Sequence, residues 1–91
     1  PLPDFEARKK LWQIKIPNNA PGYKQLNFEE LSEISEGMSG GDILVSVKNA
    51  LFDAACSTEQ PVSNEIVLSA INAVKTSKEK IGVTGVAHGI A

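Results

Sequence analysis

Glu36-Gly37-Met38-Ser39-Gly40-Gly41-Asp42-Ile43 is the stretch on which the layout of the chain turns. Gly37 can close one helix, because helices often end on a glycine in the left-handed conformation. Ser39 can open the next. Its hydroxyl stands three residues before Asp42, the spacing at which an N-cap side chain takes a backbone N–H, and Asp42 complements the positive end of the helix dipole. Two glycines follow the cap directly, although each weakens a helix by about 1 kcal/mol relative to alanine. Either two helices pack tightly there, or something else approaches the backbone closely. Periodicity alone leaves both open.

Working outward, Asp4 caps a first helix with Glu6 in its opening turn, and Phe5, Arg8, Leu11, Trp12 and Ile14 recur at helical spacing. Arg8-Lys9-Lys10 reads as a solvated basic patch, and Leu11 and Trp12 as core. Pro17 stops the helix, since the residue before a proline is pushed out of the α region. Asn18 to Leu26 is a loop whose Tyr23 is expected to fold back on the core. Asn27-Phe28-Glu29-Glu30 has the spacing of a capping box. The short helix behind it turns Phe28, Leu31 and Ile34 inward and leaves Glu29, Glu30 and Glu33 as a wet face.

Ser39 then opens what should be the longest helix, Gly40 to Ser57, with Ile43, Val47, Ala50, Leu51, Ala54 and Ala55 as its apolar stripe. Ser63 caps a last helix that buries Ile66, Val67, Ala70, Ile71 and Val74 and fades through Lys75, Lys78 and Lys80. Four capped helices with short connections predict an all-α four-helix bundle over residues 1–80, followed by a flexible tail over 81–91.

The composition bounds the function. A chain of 91 residues makes one domain at most, and 42% hydrophobic with 22% charged residues is ordinary for a soluble globular domain. No run approaches the roughly 20 apolar residues of a membrane span, and Pro1-Leu2-Pro3-Asp4 lacks the features of a signal peptide. The absence of an initial methionine suggests a piece of a longer protein. A net charge of −2 argues against nucleic acid as a partner. Cys56, the single cysteine, cannot form an internal disulfide; it suits a reducing compartment and reads as a buried or half-buried structural thiol. No phosphate loop, CxxC pair, HExxH or GxSxG motif is present, and no catalytic or metal-ligating residue set can be named.

The order of motifs resembles the small C-terminal helical domain, the lid, of AAA ATPases. Leu2-Pro3-Asp4-Phe5-Glu6-Ala7-Arg8 is similar to the P-x-x-x-x-R lead into the first lid helix. Leu31 to Ile43 is similar to a stretch ending S-G-A-D-I, Asn49 to Ala55 to an E-A-A-x-x-A-A run, and Val62 to Ile71 to the closing helix. The resemblance covers Pro1 to about Ser77. It implies that ATP or ADP lies between a large domain and this lid, with Mg²⁺ held by the large domain. It also implies that Gly40 and Gly41 pass close to the base and ribose, with Leu11, Ile14 and Lys15 near the adenine. The third helix begins Gly40-Gly41-Asp42, and Arg8 is the only arginine in the chain. That points to the branch without the sensor-2 arginine. Met38 stands where the family usually carries an aromatic, which predicts looser packing at the junction, and Lys48-Asn49 replaces an expected acidic residue.

The resemblance further implies a cytoplasmic protein-remodelling ring. The partners would be the chain's own large domain and the neighbouring subunits of a homo- or hetero-hexamer, plus a protein substrate. The alternative is a free-standing helical interaction module that uses Trp12, Tyr23 and the Glu29-Glu30-Glu33 face, with no nucleotide.

Overall fold

The computed structural model describes the backbone of residues 1–57 and 59–88, and the side chains of 1–56 and 59–77. Four α-helices follow one another: α1 (Phe5–Lys15), α2 (Phe28–Ile34), α3 (Gly40–Phe52) and α4 (Asn64–His88). A 3-10 turn at Tyr23–Gln25 interrupts the first loop, and a π-helical turn at Asp53–Ser57 follows α3. Among the described residues there is no strand. The protein is an all-α bundle, in which α1 packs on α2, α3 lies along α4, and α1 and α3 meet across the middle.

The helix starts lie where their capping residues predict. Asp4 accepts from the Ala7 N–H, Ser39 from Asp42, and Ser63 from Ile66. Pro17 ends α1 as expected, with Ile16 already extended at ψ 122°. At α2 the expected capping box is only half made. Asn27 accepts from the Glu30 N–H, but the Asn27 N–H donates to Asn64 Oδ1 at the start of α4 instead of to Glu30. Asn64 also donates to Glu30 Oε1 at 2.6 Å, so it ties the starts of α2 and α4 together.

Two helix lengths differ from expectation. Regular helix in α3 stops at Phe52 after 13 residues. Its last turn widens because Glu59 takes a left-handed φ of 55° and the Gln60 N–H reaches back to the Ala54 carbonyl. The longest helix is therefore α4, at 25 residues. It continues through His88, where a tail was expected from 81. No proline follows Pro61, and isolated glycines cost a helix only about 1 kcal/mol each. Of the expected tail, 89–91 lie outside the described residues.

The core centres on Trp12, Leu31, Ile43, Val47, Val67 and Ile71, each at most 2% exposed. Met38 is buried with them, so it fills the junction where looser packing was expected. One member of the α1 apolar series lies outside the core, and two expectations fail. Ile14 is 72% exposed, because it lies about 200° around α1 from Trp12 and Ile16 takes the inward position. Arg8 belongs to no solvated patch: it is buried, its Nε donates to the Ser32 carbonyl and its Nη1 to the Pro3 carbonyl. Cys56 is exposed, since it falls two residues beyond buried Ala54, on the opposite side of the chain's path.

Arg8 is part of a buried polar seam. Trp12 Nε1 donates to Ser35 Oγ at 2.9 Å, Ser35 Oγ donates back to the Leu31 carbonyl, and Ser32 Oγ donates to the Phe5 carbonyl. Among the described residues no buried side-chain nitrogen or oxygen lacks a partner. Unpaired, each such group would cost about 1–3 kcal/mol. The seam fixes the rotation of α1 about its own axis, and with it the direction in which the rest of α1 faces.

Candidate functional site

The turn before α3 is built from Glu36-Gly37-Met38-Ser39. Gly37 has φ +87°, the left-handed closure expected of it, and a β-carbon there would meet nothing within 4 Å. Its requirement is conformational alone. Ser39 and Asp42 form the complete capping box, each side chain taking the other's N–H at 3.1 Å. These bonds hold the first turn of α3, and with it Gly40 and Gly41, in one place.

Neither glycine is demanded by packing among the described residues. A β-carbon on Gly40 would come 3.9 Å from Leu11 Cδ1, and one on Gly41 would lie 3.8 Å from Ser39 Oγ. Both are ordinary van der Waals separations. Tight helix packing therefore does not account for the pair.

Of the five candidate residues, the structure brings Leu11 and Gly40 side by side. Leu11 is half-buried on the flank of the core, and Gly41 follows on the exposed side of α3. Ile14 and Lys15 come one turn further along α1, on the same face as Leu11 by their i+3 and i+4 spacing, and both are exposed. The result is an apolar edge on α1, Leu11 and Ile14, that meets the bare backbone of Gly40 at Leu11, with the Lys15 ammonium further along the same helix face. An apolar wall with few polar groups suits a flat, largely apolar ligand.

The residues named for a free-standing interaction module are placed differently. Trp12 is wholly buried and hydrogen-bonded, which removes it from any surface. Tyr23 folds back as expected, its ring 5.3 Å from Phe28 and its hydroxyl donating to the Gln13 carbonyl. Glu29, Glu30 and Glu33 do form an exposed face on α2, where Glu29 faces Lys9 at 3.9 Å. What the sequence reading missed is the inward half of α2. Ser32 and Ser35, three apart and facing Arg8 and Trp12, four apart, are the spacing signal that could have shown it.

No protein-family model matches the chain. Individual relatives do. The chain is 32% identical, over 65% of its length, to Protein SUPPRESSOR OF K(+) TRANSPORT GROWTH DEFECT 1 of Arabidopsis thaliana, and covers 14% of that protein. It is 32% identical, over 89% of its length, to the proteasome-activating nucleotidase of Saccharolobus solfataricus, covering 20% of it. With the AAA domain-containing protein ycf46 of Trieres chinensis it shares 29% identity over 75% of its length, 14% of the relative. The chain thus spans a fifth or less of these curated relatives. One of these relatives is named for an AAA domain, and the similarity to all three runs over most of this short chain.

Proposed function

We propose that this chain is the lid of an AAA ATPase, closing over the adenine nucleotide of its parent protein. The observation that carries the reading is the pair Gly40-Gly41. Two glycines stand in the first turn of a capped helix, Gly40 next to Leu11, with no neighbour among the described residues that requires them. A ligand that passes close to the backbone would require them, because only glycine leaves that space open. Leu11 and Ile14 would form the apolar wall against the base, with Lys15 at its margin.

The lid would transmit nucleotide state by rotating as one body against its own large domain and the next subunit of a hexameric, cytoplasmic, protein-remodelling ring. The Arg8–Trp12–Ser32–Ser35 seam supports motion as one body, since it locks α1 to α2 through buried hydrogen bonds. Among the described residues no group of three or more acidic, histidine or cysteine side chains is placed to hold a metal ion. The Mg²⁺ of ATP, the phosphate-binding lysine, the water-activating acids and the arginine finger are assigned to the large domain.

Two observations test this. The gene upstream of Pro1 should encode a GxxxxGKS/T loop after a strand and before a helix. The purified 91-residue chain should turn over no ATP. An upstream region without a phosphate loop, or hydrolysis by the chain alone, would overturn the proposal.

A further inference from the structure

We draw no further inference here: the strongest candidate, the exposed apolar stripe of Val45 and Phe52 on the outer side of α3 with the shallow groove it shares with Ile66 and Ser69 of α4, has nothing in the structure to say what covers it.

Discussion

A β-carbon means something different at each of four glycines. At Gly22, φ is +92° and the added carbon would fall 2.1 Å from the Val62 carbonyl oxygen, where the first loop crosses the approach to α4. Gly22→Ala is expected to cost about 3 kcal/mol, because backbone must move as well as strain. Gly37→Ala meets only its left-handed φ and open space, and should cost about 1 kcal/mol. Gly40→Ala and Gly41→Ala run the other way. Both positions lie in helical backbone with room for the carbon, so each should stabilise the chain by about 0.4–1 kcal/mol. Urea unfolding of the four variants, read as midpoints at unchanged slope, checks the order. A loss of stability at Gly40 or Gly41 would mean that the glycines serve this fold after all. The sequence marked Gly37 and the Gly40-Gly41 pair, because caps and glycine costs are local. It gave no sign of Gly22's collision, which depends on Val62, forty residues away.

The elements are joined by two kinds of contact, and only one was legible beforehand. Apolar stripes on α3 and α4 follow from 3.6-residue spacing, and Val67, Ala70, Ile71 and Val74 lie buried as that spacing predicts. The α1–α2 contact is polar at its centre. Arg8 looked like part of a charge run because its neighbours Lys9 and Lys10 are charged, while its inward direction is set by the four-residue step to Trp12. Arg8→Lys should therefore be costly despite keeping the charge. A lysine cannot reproduce the fork that reaches the Ser32 and Pro3 carbonyls together, and a loss of about 1–3 kcal/mol is expected in the urea midpoint. An unchanged midpoint would show that the seam adds little. Asn64 illustrates the same limit on sequence reading. Ser63 caps α4, and Asn64, the next residue, completes the N-terminus of α2 from 37 positions away.

At the scale of the molecule, the all-α bundle was readable because caps, a proline stop and apolar periods agreed about where helices begin and which side they bury. The ends of α3 and α4 were not, because the π-helical turn follows from how the chain returns at Glu59 and Gln60, and α4 meets no stop signal stronger than glycine. The candidate site was legible as residue types, and its geometry was not: Leu11 beside Gly40 and the exposure of Ile14 are tertiary facts. That exposure is what makes it available as part of a wall. In the proposed lid, the space above Gly40 and Gly41 is kept open for a nucleotide. The most direct measurement is the affinity of the full-length parent for ADP, by calorimetry, with and without Gly40→Val. The expected result is a dissociation constant weakened about tenfold or more, roughly 1.4 kcal/mol, while the 91-residue chain with the same substitution keeps its helical circular dichroism. Unchanged ADP affinity in a folded variant would contradict it.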